Sequence, residues 1–314
     1  MTAIPQKAIP LTKVPLGRRI ARQRTLLLML LPALVCTAIF VYTPMWGMLM
    51  AFYDYNPGLG LSHSPFVGLK HFIRFFTDSQ FPLLIRNSFA ISFLNIAFGT
   101  VFSITFAVFL NEIRSSAFKK TVQTISYLPH FVSYVVVATI ALTLLSPSGF
   151  LLDSMVKLGI IKEAPVVFTE PKVFWWLVAG LNTWKEMGWS AIIYISAIAG
   201  IEPQLYEAAM VDGAGRFRRI WHITLTGIRP TIVVLLIMSV PDLLNAGFDP
   251  SYLLGNAMVS NYSDVLDTYV YQLGLAQGQF SMATAVGIFR MLVGLVLILS
   301  ANAFARRVSE YSLF

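Results

Sequence analysis

From residue 25 onward the chain alternates long apolar runs with short polar connectors. Six runs stand out: Thr25 to Met50, Asn87 to Leu110, Thr124 to Leu145, Val173 to Gly200, Thr231 to Ala246 and Ser281 to Phe304. Each is near the ~20 residues that a helix needs to cross the hydrocarbon core of a bilayer. No water reaches backbone N–H and C=O groups in that core, so such a run must pair them internally as helix. The pattern predicts an all-α integral membrane protein with six transmembrane helices and both termini on one side. The first run is too long for the ~7–15-residue core of a signal peptide, and no small-residue cleavage pattern follows it, so it reads as a retained span. Pro32 and Pro44 are placed near its ends, where proline costs least.

The connectors differ in character. Residues 51–86 are mixed, and Pro65 to Phe76 carries aromatics and two basic residues at helical spacing. Those aromatics suit either a belt at the outer interface or a platform for sugar rings. Asn111 to Lys120 is basic. Ser146 to Lys172 has turn signals at Ser146-Pro-Ser-Gly149 and Ala164-Pro165, and a polar stretch follows Gly247 as far as Phe280.

The polar connector of residues 202–228 has a structure of its own. Glu202 to Met210 holds helix formers with Pro203 in the first turn, and Gly213-Ala-Gly215 breaks it. Glycine readily takes the positive φ of a tight reversal. Arg216 to Leu225 then predicts a second short helix, with Phe217, Ile220, Trp221 and Leu225 on one side and Arg218, Arg219 and His222 on the other. Such a helix–turn–helix is either a protrusion from the membrane surface or an amphipathic loop lying on headgroups.

Composition agrees with a membrane protein. Hydrophobic residues make up 56% of the chain and charged residues 12%, too apolar for a soluble globular protein. The net charge of +8 does not point to nucleic acid, because the basic residues sit in short clusters beside apolar runs. Six Lys/Arg fall in residues 1–24, three in the 111–120 connector, four in the 202–228 loop with its exit, and Arg306-Arg307 end the last run; that is 15 on one side against 6 on the other. The positive-inside rule therefore puts the N-terminus in the cytoplasm. The single cysteine, Cys36, excludes an internal disulfide and is expected to pack inertly.

Within the polar loop, Glu207-Ala208-Ala209, then three residues, Gly213, nine residues, and Ile223-x-Leu225 follow a long gapped spacing. This resembles the cytoplasmic loop of ATP-binding-cassette importer permeases, which docks on the ATPase. One departure is Thr226, where the family usually has proline; Pro230 comes four residues later. Further stretches resemble the subfamily that imports polysaccharides and complex oligosaccharides, most nearly permease subunits of bacterial alginate importers. They are Asp54-Tyr-Asn-Pro57, Phe66-Val-Gly-Leu-Lys70, Leu128-Pro-His-Phe131, Leu145-Ser-Pro-Ser-Gly149, Trp184-Lys-Glu-Met-Gly-Trp189 and Asp267-Thr-Tyr-Val-Tyr271.

The resemblance implies the type I importer permease fold in a bacterial inner membrane, with both termini cytoplasmic. Residues 1–24 would be a cytoplasmic tail, 25–86 the first span with an external segment, 87–306 the core permease domain, and 307–314 a C-terminal tail. It also implies a second permease subunit of similar fold, two ATPase subunits that bind the ATP and Mg, a solute-binding protein and a saccharide substrate. Glu207, Ala208, Ala209, Asp212, Gly213, Ala214, Gly215 and Arg216 would contact the ATPase. No Gly-Lys pair occurs, so no phosphate loop is present; the four histidines have no metal-ligand spacing; and no nucleophile motif is found. Nothing in the chain points to catalysis, to a resident cofactor or to a nucleic-acid partner.

Ionisable side chains inside a span cost about 2.5–3.5 kcal/mol on insertion scales and usually face a bundle interior or cavity. Lys185, Glu186, Asp242 and Arg290 meet that description. Lys185 and Arg290 either line a pathway, where an unpaired cation would favour an acidic polysaccharide, or pair with neighbouring helices. Glu186 is adjacent to Lys185 and about 100° away around the helix, which argues against their pairing. Asn182, Trp184, Trp189 and Tyr194 share the fourth span and suit hydroxyl-rich rings, although membrane helices also use them in packing. A stand-alone secondary transporter is the alternative class, but no repeat relates the two halves.

Overall fold

A computed structural model describes residues 23–308. The chain divides between Leu49 and Met50 into two units. In the first, α1 (Arg24–Thr37) continues through a π turn, Ala38–Tyr42, into a 3₁₀ stretch, Thr43–Phe52. Pro32 lies inside α1 rather than at an end, and Cys36 is exposed rather than packed. The basic tail falls almost wholly outside the described residues.

The second unit holds α2 (Lys70–Phe76), α3 (Phe81–Glu112), α4 (Ser116–Phe131), α5 (Tyr134–Leu144), α6 (Phe150–Lys157) and α7 (Pro171–Ala199). It continues with α8 (Pro203–Val211), α9 (Arg216–Gly227, with a π turn at Ile220–Thr224), α10 (Arg229–Ser239, running on as a 3₁₀ stretch to Leu244), α11 (Phe248–Leu254), α12 (Ser260–Ser263), α13 (Leu266–Tyr271) and α14 (Phe280–Val308). Among the described residues there is no sheet, and one isolated antiparallel bridge joins Tyr53 to Phe66.

Three helices are long and apolar enough to cross a membrane, or up to five if each of two bent pairs counts as one span. The third and fifth runs are these bent pairs. The α4–α5 pair turns through 101°. Pro129 has no N–H to continue the ladder of α4; Val132 is extended, and the Ser133 side chain caps α5 by accepting from the Val136 amide. The α9–α10 pair bends by 55° where Pro230 enters the first turn of α10. Helix α7 is 29 residues long but too polar at its centre to pass as an apolar span.

Parallel packing of α3 and α7 forms the frame. Ile91 meets Phe174 and Val178 in one core cluster, while Ala107 and Val108 meet Ala191, Tyr194 and Ile198 in another. The second cluster also takes Ile220, Leu225 and Ile228, so the base of the polar loop sits at the C-terminal ends of α3 and α7. A third cluster, with Phe75, Leu84, Leu266 and Met282, closes the other end around the start of α3. At 1.5 Å per residue, the 32 residues of α3 hold those ends roughly 48 Å apart.

Candidate functional site

Helix α8 ends as the local sequence demands. The Ala214 amide donates to the Ala209 carbonyl at 2.8 Å and the Gly213 amide to Met210 at 3.1 Å, with Gly213 at φ +77°. This 6→1 and 5→2 pair is a Schellman stop, and it requires the left-handed conformation at Gly213. Gly215 differs: it caps α9 at φ −66°, with open space where a Cβ would sit. Valine at Gly213 should therefore cost roughly 1–3 kcal/mol of local strain, while alanine at Gly215 should be nearly silent. Transport assays on Gly213→Val and Gly215→Ala check this; equal activity would mean the reversal tolerates strain.

The loop is tied to the frame at two points. Arg216 forms an ion pair with Glu112 at the end of α3 and donates from Nη2 to the Glu112 carbonyl at 2.9 Å. The Tyr206 hydroxyl lies 3.0 Å from Thr224 Oγ1, joining α8 to α9. Glu207, Ala208, Asp212, Gly213, Gly215 and Arg216 are exposed, whereas Ala209 and Ala214 are half-buried. The expected apolar stripe of the second helix is corrected. Ile220 and Leu225 face the core with Thr224 and Ile228, but Phe217 is 85% and Trp221 69% exposed. An angular projection does not tell which turn reaches the frame, and the π turn at Ile220–Thr224 further interrupts the regular repeat downstream of Phe217. With Val211 at 89%, the loop presents large apolar side chains away from its own subunit. A patch like that marks a surface made to be covered.

The second locus is polar and lies midway along α7. Lys185 Nζ donates to Glu186 Oε1 and to the His130 carbonyl, both at 2.8 Å. Glu186 Oε2 is 2.7 Å from His130 Nδ1. The sequence argument against a Lys185–Glu186 pair fails because both side chains lean toward the end of α4, whose last turn supplies His130. The His130 ring stacks on Trp189 with centroids 4.4 Å apart and planes 2° off parallel. His130 was not among the candidates; its signal was the Leu128-Pro-His-Phe131 stretch, noted only as resemblance.

The other candidates separate. Asn182 Nδ2 donates to Asn95 Oδ1 at 3.1 Å across α3 and α7. Trp189 and Tyr194 line a cavity of about 530 Å³ with Asn95, Thr100, Ser103 and Ser239. Tyr194 is itself largely buried, and Trp184 is exposed away from that cavity. Arg290 lines a different cavity, about 470 Å³, beside Asp242. Its ion-pair partner is Asp267 at the start of α13. Both of these cations are thus paired, and the premise that one stands unpaired is overturned: α13 brings in a carboxylate that lies outside the long apolar runs.

The structure thus combines a protruding helix–turn–helix fixed to the frame with a mostly apolar cavity between α3, α7 and α10 that carries a few amides and hydroxyls. Residues 99–310 match the family of binding-protein-dependent transport system inner membrane components. The chain belongs to this family. Among relatives of the permease, the polygalacturonan/rhamnogalacturonan transport system permease protein YteP of Bacillus subtilis (strain 168) is 45% identical over 94% of this chain and 92% of its own. Protein LplB of the same organism is 39% identical over 93% and 92%. A permease chain from a bacterial alginate importer, solved with a periplasmic protein carrying an alginate pentasaccharide, superposes with a TM-score of 0.85 at 39% identity, covering 95% of this permease and 99% of that chain. A second structure of an importer of the acidic polysaccharide alginate agrees, with a TM-score of 0.85 and 40% identity. The permease is accordingly a subunit of a binding-protein-dependent importer, and the stand-alone transporter reading falls.

Proposed function

We propose that this permease forms half of the translocation pathway of an ATP-driven importer for an acidic polysaccharide or its oligosaccharides. The observation that carries the reading is the exposed loop around Glu207 and Phe217, clamped by Arg216 to the end of α3. Closure of a partner ATPase against that loop would tilt α3 and α7 together, which is how a local contact becomes an alternating-access switch. The substrate class is supported by the substrates of two kinds of relative, polygalacturonan/rhamnogalacturonan and alginate, both rich in uronates.

In this reading the chain crosses the bacterial inner membrane six times, with α1, α3, the two bent pairs, α7 and α14 as spans and both termini in the cytoplasm. A second permease of similar fold completes the pathway. Two ATPase subunits hold ATP and Mg, and a solute-binding protein delivers the saccharide. Trp189, Asn182 and Tyr194, with His130 beside them, border the path. Lys185 and Arg290 position helices through their pairs with Glu186 and Asp267. The test is ATPase activity of the reconstituted importer against uronate oligosaccharides and matched neutral ones. Stimulation by the uronates alone is expected; stimulation by the neutral series alone would refute the substrate class.

A further inference from the structure

At the end of the frame opposite the polar loop, two small cavities of about 210 and 230 Å³ open side by side and share Arg74, Gln279 and Met282 in their walls. Three segments build them. Helix α2 supplies His71 and Arg74. The chain before it is hung on the start of α14 by the Tyr55 amide, which donates to Ser281 Oγ at 2.9 Å. The reversal into α14, with Gly278 at φ +68°, carries Gln277 and Gln279. Each volume is below the ~300–1,000 Å³ of sites for drug-sized ligands, a scale suited to a single ring.

The chemistry of the walls is unusual for a loop surface. Gln80, Gln272, Gln277 and Gln279 all border one cavity, and a side-chain amide both donates and accepts, as a sugar hydroxyl does. Gln279 Nε2 donates to Gln277 Oε1 at 2.9 Å, which leaves Gln279 Oε1 and Gln277 Nε2 without a hydrogen-bond partner among the described residues. The nearby carboxylates are already engaged. Asp54 is bonded by Lys70 at 2.8 Å, which holds its carboxyl below the usual range. Asp78 accepts from the Tyr269 hydroxyl at 2.6 Å and from the Gln80 amide at 2.9 Å. Burial, and then that hydrogen bond to Asp78, push the Tyr269 phenol up, so it stays a neutral donor.

One group is left over. Arg74 forms no ion pair and donates no hydrogen bond among the described residues, although Asp54 and Asp78 both lie close. His71 borders the groove but is 5% exposed, and both ring nitrogens are closed off from it, so its ring supports the wall. Its Nε2 stands 3.6 Å from Asp54.

We infer that this groove is an entry subsite for one uronate residue, with the carboxylate on the Arg74 fork and the hydroxyls on the glutamine amides. The inference rests on the proposed importer function and adds to it a position outside the mid-membrane cavity where the saccharide is held before entry. A guanidinium fork matches a carboxylate in a way that an ammonium does not, which accounts for an arginine here beside a lysine committed to Asp54.

The test uses the purified importer complex without its solute-binding protein, titrated with a uronate trisaccharide and with its carboxyl-reduced, neutral counterpart. Arg74→Gln should weaken uronate binding by about tenfold or more, as loss of a charge-assisted pair does, and leave the neutral sugar nearly unchanged. Gln279→Ala should weaken both, and Arg74→Lys should fall between Arg74→Gln and the natural protein. Affinity for the solute-binding protein is measured in parallel. If Arg74→Gln lowers that affinity while saccharide binding is untouched, the groove is a protein-docking surface and the inference fails. It fails also if the natural complex transports uronates but binds neither trisaccharide, an outcome that leaves the importer function standing. No transport of any uronate would refute the function itself.

Discussion

Gly188→Ala is expected to cause the largest single loss of folded permease. A Cβ on Gly188 would stand 2.1 Å from the carbonyl oxygen of Ser126 and 2.6 Å from its carbonyl carbon. Both are backbone atoms of α4, so no side chain can swing aside. The two helices would have to part, and overpacking of this kind costs typically ~1–3 kcal/mol, more where backbone must move. Alanine is the better helix former by only ~0.8–1.0 kcal/mol, so the clash wins. Small residues serve in this way to bring membrane helices close. The separation would also pull His130 from Glu186 and from the face of Trp189, which are the next contacts along the same seam. Gly180→Ala is the control, since that position on α7 has open space around it. Thermal melting of both variants in detergent checks the argument. Gly188→Ala should melt several degrees lower, and Gly180→Ala should match or exceed the natural protein. Equal melting would show that α4 yields easily.

Glu207→Lys should leave the permease folded and cripple the importer. Glu207 is exposed on α8 and has no ion pair or hydrogen bond among the described residues, so the change costs the subunit almost nothing. Surface substitutions of this sort usually fall within ±0.5 kcal/mol of neutral. The expected loss is in assembly: reversing a charge inside a protein interface removes at least ~1.4 kcal/mol, a tenfold change in affinity. Membrane levels and melting should be unchanged, while copurification of the ATPase and substrate-stimulated hydrolysis drop together. Normal stimulation in the variant would remove Glu207 from the contact. The exposed Phe217 and Trp221 bear on the same surface. Alanine at either should reinforce the loss rather than replace it.

Much about this protein is decided by local rules and is therefore readable in the chain. Apolar runs of span length must be helix in a bilayer, and the described residues contain long apolar helices and no sheet. Gly213 takes the left-handed turn because the stop of α8 involves only its own neighbours. The spacing from Glu207 to Leu225 carried the family for the same reason: a docking loop is one contiguous stretch.

What escaped the sequence depends on residues far apart in the chain or on backbone irregularities with no periodic signature. A run of apolar residues has the same composition whether straight or bent through 101°, and the break in the third run shows only as Pro129 followed by Ser133. Phe217 and Trp221 are exposed although a regular-helix projection groups them with Ile220 and Leu225, because only the packed frame decides which turn of α9 is covered. The pairing of Lys185 and Arg290 depends on distant residues: His130, from the last turn of α4, holds Glu186 and Lys185 together, and Arg290 takes Asp267 from a connector outside the apolar runs. Glycine at 188 and at 180 look alike in the sequence. Only the crossing of α4 over α7 makes the first indispensable, because close approach of backbones is a property of the packed bundle and not of either helix alone.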